Sequence, residues 1–199
     1  MPRDFAYFVV CTILTTQMSS QAGEGDDGYK RNVNKLFEFF DALRKDDVIY
    51  TTKASYEQKN SRVDCVMRTK IRSERTLVRM CMQSKINSPR PKPYTMKITY
   101  RRTKNGEGVT EGWSRDQYTL TIHYVGEACV VYSVNKYKPL TLNSRACGIW
   151  RKNIGYDVPE DDECQGNASQ VCGSNWRPIS SRNKCGRVPP PECKYYDDK

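Results

Sequence analysis

Two spacings divide the apolar residues of this chain, one helical and one alternating. Between 32 and 46 the residues Val33, Leu36, Phe37, Phe40 and Leu43 recur at steps of three and four, which places them on one face of a short amphipathic helix. From 48 onward the period falls to two. Candidate strands are 48–56, 65–72, 77–84, 94–102, 118–125, 129–136 and 146–153, separated by turn signals such as Asn105-Gly106 and Gly126. Short strands in unbroken succession, joined by hairpin-length links, predict an all-β protein built as an antiparallel barrel or sandwich.

Alternation also predicts which side chains share a face. The inward set is Tyr50, Tyr56, Met67, Val78, Met80, Met82, Tyr94, Met96, Ile98, Tyr100, Tyr118, Leu120, Ile122, Tyr124, Val130, Tyr132, Val134 and Trp150, with no acidic residue among them. Such a set is apolar and adaptable, and its hydroxyls can orient the polar end of a guest. Cys81, Cys129 and Cys147 take the outward phase. Cys65 falls in phase with Met67 and Ile71 but stands at a strand end.

The chain has 9 cysteines. Cys11 lies in an apolar run, 5–14, that follows Arg3 and precedes the small-x-small pattern Ser20-Gln21-Ala22, so residues 1–22 read as a secretory signal peptide and 23–199 as a single domain. The run is far shorter than the ~20 residues that span a bilayer, so no membrane insertion is expected. Removal leaves an even set in an oxidising compartment, and the product is expected to be secreted and extracellular. Cys65, Cys81, Cys129 and Cys147 lie in strands, whereas Cys164, Cys172, Cys185 and Cys193 crowd the polar tail 164–199. Outward cysteines on different strands rarely meet each other, but a tail laid across the barrel reaches them all. Each strand cysteine is therefore expected to take one tail cysteine, a small subset of the 105 connectivities that eight cysteines allow.

Chemistry is sparse. The single histidine, His123, falls in outward phase beside threonines, which excludes multi-histidine metal sites and leaves no convincing catalytic triad. The acidic pairs Asp26-Asp27, Asp46-Asp47 and Asp197-Asp198 and the run 160–163 lie in polar or terminal segments, and no glycine-rich phosphate loop is present. No enzyme, metal or cofactor is expected. The formal net charge of +10 is scattered along the chain without a basic block, the pattern of a solvated exterior. It suggests no nucleic acid, although a field of this sign would attract a glycosaminoglycan. The triplet Asn167-Ala168-Ser169 is a glycosylation sequon.

Over nearly the whole of 23–199 the sequence resembles the tick salivary lipocalins, the family that includes the tick histamine-binding proteins. The resemblance is carried by the opening helix, then Val48-Ile49-Tyr50-Thr51-Thr52-Lys53-Ala54-Ser55-Tyr56, Cys65-Val66, Cys129-Val130-Val131-Tyr132-Ser133-Val134, Cys147-Gly148-Ile149-Trp150, Val158-Pro159, Cys164 and Cys193. It implies an eight-stranded antiparallel lipocalin-type barrel with a short N-terminal helix and a disulfide-stapled C-terminal helix or tail outside. It further implies Cys65 paired with Cys193 and Cys129 with Cys164, leaving Cys147 with Cys172 and Cys81 with Cys185. The function it implies is sequestration of a small host mediator: a fatty acid, eicosanoid, sterol or biogenic amine such as histamine.

The sequence departs from that family at telling positions. Amine-binding members carry an acid just after the sixth-strand cysteine and another two places before the seventh-strand tryptophan, where this chain has Val130 and Gly148. A protonated amine inside a barrel needs a carboxylate partner, so a lipid-type ligand is expected ahead of an amine. Expected ligand-binding residues are Tyr50, Tyr56, Met80, Tyr100, Tyr118, Tyr132, Trp150, Trp113 and Glu111. The last two could enter the mouth together and rescue amine binding through charge and a cation-π face, against the plainer reading of Glu111 as a solvated loop residue. A second function class is a module that binds or inhibits a host immune or haemostatic protein through the tail, whose Arg177-Pro178, Arg182, Lys184 and Arg187 form a basic contact surface.

Overall fold

The computed structural model describes residues 24–55, 63–86, 93–113, 116–135, 146–153, 162–180, 185–186 and 188–193. The expected signal segment 1–22 and the residues Tyr56, Arg182, Lys184 and Arg187 lie outside them. Helix α1 (Glu24–Asp41) is followed by strands β1 (Val48–Ala54), β2 (Val63–Glu74), β3 (Leu77–Ile86), β4 (Pro93–Arg102), β5 (Val109–Trp113), β6 (Asp116–Val125), β7 (Cys129–Asn135) and β8 (Ala146–Lys152). Helix α2 (Glu163–Cys172) and a two-residue strand, β9 (Arg177–Pro178), complete the order. Each strand from β1 to β8 pairs antiparallel with the next, and β8 pairs back onto β1, so the sheet closes into an eight-stranded barrel.

The eighth strand is β5. Alternation does not reveal it, because its five residues include Gly112, with no side chain, and Glu111, a charge on the inner face. Its register with β4 and β6 is unbroken, Tyr100 opposite Glu111 and Glu111 opposite Tyr118.

Helix α1 floors the barrel. Its apolar face, Val33, Leu36, Phe37, Phe39 and Phe40, is buried in one cluster with Val78, Ile98, Tyr100, Leu120 and Trp150 from the strands. Polar contacts fix it on opposite sides of the rim: Asn32 Nδ2 donates to the carbonyls of Ile122 (3.3 Å) and His123 (2.8 Å), and Lys70 Nζ donates to the Asp41 carbonyl at 2.9 Å. Arg102 bonds Asn34 and stacks its guanidinium 4.3 Å from the Phe37 ring centroid. Asp47, buried between α1 and β1, takes the Arg44 backbone N–H (2.8 Å), Asn153 Nδ2 (2.7 Å) and Lys152 Nζ (3.0 Å), which ties the start of β1 to the end of β8.

The C-terminal segment is a belt that crosses the barrel wall strand by strand. Cys164 bonds Cys129 on β7 and Cys172 bonds Cys147 on β8. Then β9 pairs with β1 (Lys53 opposite Pro178), Cys185 bonds Cys65 on β2, and Cys193 bonds Cys81 on β3. The order along the tail is the order of strands around the barrel. This corrects two expected bridges, Cys65 with Cys193 and Cys81 with Cys185. A chain laid across the wall in one direction meets β2 before β3, so the earlier cysteine serves the nearer strand. Thr69 Oγ1 donates to the Pro191 carbonyl at 2.8 Å, fixing the tail on β2 between the two bridges.

Between β1 and β2 the tail enters the wall itself. The β1–β2 ladder stops at Thr51 opposite Val66. Beyond it Ile179 N–H donates to the Thr52 carbonyl (2.8 Å), Cys65 N–H donates to the Ile179 carbonyl (3.0 Å) and Val66 N–H donates to Ser180 Oγ (2.8 Å). The register of β2 shifts between Asp64 and Val66, and Cys65 adopts a φ of 55° there, a bulge that turns the strand toward the belt.

Helix α2 lies on the outside of the barrel. Asp162 caps it by accepting from Gln165 N (2.9 Å), and Arg151 Nη2 on β8 donates to the same carboxylate at 2.7 Å. Beneath it Cys129, Val131, Ile149, Cys164 and Ala168 form a second buried cluster, with Tyr124 packed against them.

Candidate ligand-binding site

The inward phase of each strand builds the interior, and in three strands it differs from strict alternation. Tyr50 and Met67 pack outside the barrel with Val48, Cys65, Cys185 and Val188, under the belt. Both faces of β2 are therefore covered, and hydrophobicity alone does not separate inside from outside. Tyr124 also lies outside, because a register shift between Ile122 and Tyr124 resets the phase of β6. Tyr50 is accordingly not an interior residue, and Tyr56 lies outside the described residues.

With Met67 outside, Arg68 points in. It is 5% exposed and is the polar centre of the barrel. Arg68 Nε donates to Tyr100 Oη (2.9 Å), Nη1 donates to Thr51 Oγ1 (2.7 Å), and Nη2 stands 3.7 Å from Glu111 Oε1. Glu111 is 8% exposed and belongs to a strand, so the solvated-loop reading is corrected: the residue is inside, and its charge already has an arginine partner. Burial raises the Glu111 pKa against the pull of Arg68, and it raises that of the Tyr100 phenol well above its usual range.

An aromatic layer lies beside this centre. Phe40 from α1 is 5.3 Å from Tyr100 and 6.2 Å from Trp150 by ring centroid; Tyr100 and Trp150 meet edge to face at 5.4 Å. Tyr132 lies 4.4 Å from Trp150, and the Arg68 guanidinium carbon is 5.1 Å from the same indole. The Trp150 Nε1–H is buried with no hydrogen-bond partner. Gly148 faces Tyr132: a Cβ there would lie 2.3 Å from the Tyr132 hydroxyl oxygen.

Burial falls away from α1. Val78 and Met80 are fully buried but Met82 only partly; Ile98 and Tyr100 are fully buried, Met96 partly, and Tyr94 is 56% exposed. Tyr118 and Val134 are half-buried where their neighbours Leu120 and Tyr132 are buried. The interior is thus sealed at the helix end and less covered at the other. Of the expected ligand-binding residues, Met80, Tyr100, Tyr118, Tyr132, Trp150 and Glu111 take the inward phase, and Met80, Tyr100 and Trp150 are fully buried there. Trp113 pairs with Asp116 through its backbone, and its side chain lies outside the described residues.

Sequence reasoning missed Arg68. Its signal was available in the chain: Thr51 and Arg68 share a phase with Trp150 once Cys65 is assigned to the exterior, but an arginine is not an ordinary interior choice.

Elsewhere the polar clusters serve the wall. His123 Nε2 lies 2.8 Å from Ser133 Oγ on the outer surface, with Tyr29 of α1 edge-on. Asn167 is on α2, its side-chain amide donating to the Glu163 carbonyl at 2.8 Å. Among the described residues no group of three or more His, Cys, Asp or Glu is placed to hold a metal ion, and no helix is long and apolar enough to cross a membrane.

No protein-family model matches the chain, and no curated protein matches it by sequence. Solved structures do. Japanin from Rhipicephalus appendiculatus bound to cholesterol is similar at 12% identity and a TM-score of 0.50, over 70% of this chain and 94% of that one. Lobster apocrustacyanin A1 is similar at 9% identity and a TM-score of 0.50, over 75% of this chain and 85% of that one. Identities this low speak to fold alone, and the fold of both neighbours is that of the lipocalins. The closed eight-stranded antiparallel barrel, with one helix at its floor and another bridged to its outside, is a lipocalin-type barrel.

Proposed function

We propose that this is a secreted binding protein that sequesters a small, largely apolar host mediator inside its barrel, a lipid-type guest ahead of a biogenic amine. The observation that carries the reading is the gradient of burial along the inward face, from fully covered Val78 and Met80 beside α1 to partly covered Met82, Met96 and Val134 at the far end. A barrel of this size holds one small ligand, and methionine and aromatic side chains shape themselves to an apolar guest.

Two further facts support it. Japanin, similar in fold, is bound to cholesterol. The four bridges suit an extracellular protein, since disulfides persist in oxidising surroundings. Trapping without turnover fits a site whose charged groups, Arg68 and Glu111, form an ion pair, with Arg68 also bonded to the Tyr100 and Thr51 hydroxyls, instead of standing as an acid and a base.

The test is a native mass spectrum of the protein secreted from eukaryotic cells, followed by titration with arachidonate, cholesterol and histamine. Co-purified lipid or saturable binding of one of the three is the expected result. A protein that carries and binds none of them would not be a small-ligand trap, and the host-protein reading would then lead.

A further inference from the structure

We propose that the Arg68–Glu111 pair makes the interior select a guest with no net charge and a neutral oxygen at one end, a sterol-type alcohol, against carboxylate lipids and protonated amines alike. This rests on the small-ligand reading above and names the chemistry of that same site.

The charge balance of the interior comes first. Of the charged residues in inward phase, Lys70, Arg102 and Lys152 sit at the rim beside α1, where they meet the Asp41 carbonyl, Asn34 and Asp47, and Asp116 stands at the opposite end, where β6 begins. Arg68 and Glu111 alone among the described residues reach the centre, and their charges cancel. An entering carboxylate leaves the buried site one negative charge in excess, and an entering ammonium leaves it one positive. A surplus charge away from water is costly unless a proton moves to cancel it. A hydroxyl disturbs nothing.

A donor waits for such an oxygen. Arg68 is already engaged, with Nε and Nη1 bonded to Tyr100 and Thr51 at 2.9 and 2.7 Å and Nη2 paired with Glu111 at 3.7 Å. The Trp150 indole N–H, beside the same guanidinium, is buried and unpartnered. A buried donor without a partner is costly, and an alcohol oxygen accepts from it without adding charge. Met82, opposite Arg68 in register, and Met96 and Val134 offer the apolar wall for the rest of the guest.

The experiment titrates the mature protein with cholesterol, oleate and histamine, and repeats it with Glu111→Gln, which gives the centre a net positive charge without changing its size. Wild-type protein should bind cholesterol at least about tenfold more tightly than oleate or histamine. Any oleate it does take should bind with uptake of close to one proton, read from calorimetry in buffers of different ionisation enthalpy. Glu111→Gln should shift the oleate-to-cholesterol affinity ratio toward oleate by about tenfold or more and abolish the proton uptake. Wild-type binding of oleate or histamine as tight as cholesterol, without proton exchange, overturns the proposal, as does an unchanged ratio in the folded variant. If Glu111→Gln does not fold, the wild-type ranking and proton count decide. Binding of none of the three defeats the small-ligand reading itself, a result distinct from a wrong ranking.

Discussion

The hydroxyl of Tyr132 occupies the place where a side chain at position 148 would begin, with the would-be Cβ only 2.3 Å from its oxygen. An acidic side chain at position 148 would therefore have to displace that ring. Tyr132 is itself held 4.4 Å from Trp150, leaving it little room to give way. Gly148→Ala is expected to destabilise the fold by about 1–3 kcal/mol, the cost of overpacking a dense core. Gly148→Asp should cost more and should not create an amine site. The midpoint of urea unfolding checks the first statement, and histamine titration of the second variant checks the other.

The belt predicts a disulfide map. Proteolysis under non-reducing conditions should release Cys65 joined to Cys185 and Cys81 joined to Cys193. A Cys65–Cys193 peptide would contradict the strand-by-strand crossing. Replacing Cys81 and Cys193 together by serine opens a link of 112 residues and should cost about 2–5 kcal/mol, read from thermal unfolding.

Ser180 holds β2 where the wall parts. Its Oγ accepts from Val66 N–H at 2.8 Å and donates to the Val66 carbonyl at 3.3 Å, and the residue is buried. Ser180→Ala leaves that N–H without a partner and should cost about 1–3 kcal/mol. Amide exchange at Val66 should rise in the variant while exchange on β4 stays as it was. Equal loosening of both strands would mean the effect is global and not a local seam.

Asp47 predicts an acid limb of the stability profile. Burial opposes its ionisation, but the Arg44 N–H, Asn153 and Lys152 outweigh that and draw its carboxyl from 3.8 to about 2. A carboxyl depressed in the fold stabilises at pH values above its unfolded pKa, and the contribution drains away as pH falls from about 4 through 2. It amounts to about 2 kcal/mol at neutral pH. Wild-type protein should lose this margin between pH 5 and pH 2, whereas Asp47→Asn, less stable at pH 7, should lose correspondingly less over the same range. Parallel profiles would remove Asp47 from the account.

Much of the architecture was legible in the chain. Helical spacing from Val33 to Leu43 and alternation from Val48 to Trp150 predicted a helix and then an antiparallel barrel or sandwich, because a half-buried element prints its period on the residues that face the core. The division of cysteines between strands and tail predicted an external staple. The helix starts nine positions earlier than its apolar stripe, at Glu24, since solvent-facing turns carry no such mark.

What tertiary structure alone decided lies where a strand is covered on both sides or carries a charge inward. β5 hid because Glu111 breaks its pattern, and Arg68 hid because the belt buries Met67 and Cys65 on the outer face of β2, making the wrong side look like the core. Which cysteine meets which strand was likewise not a property of spacing but of the path around a closed wall. Local sequence records how each element divides between water and apolar surroundings; it does not record which second surface supplies those surroundings, and at Arg68 and Glu111 that second surface is the charge of the other.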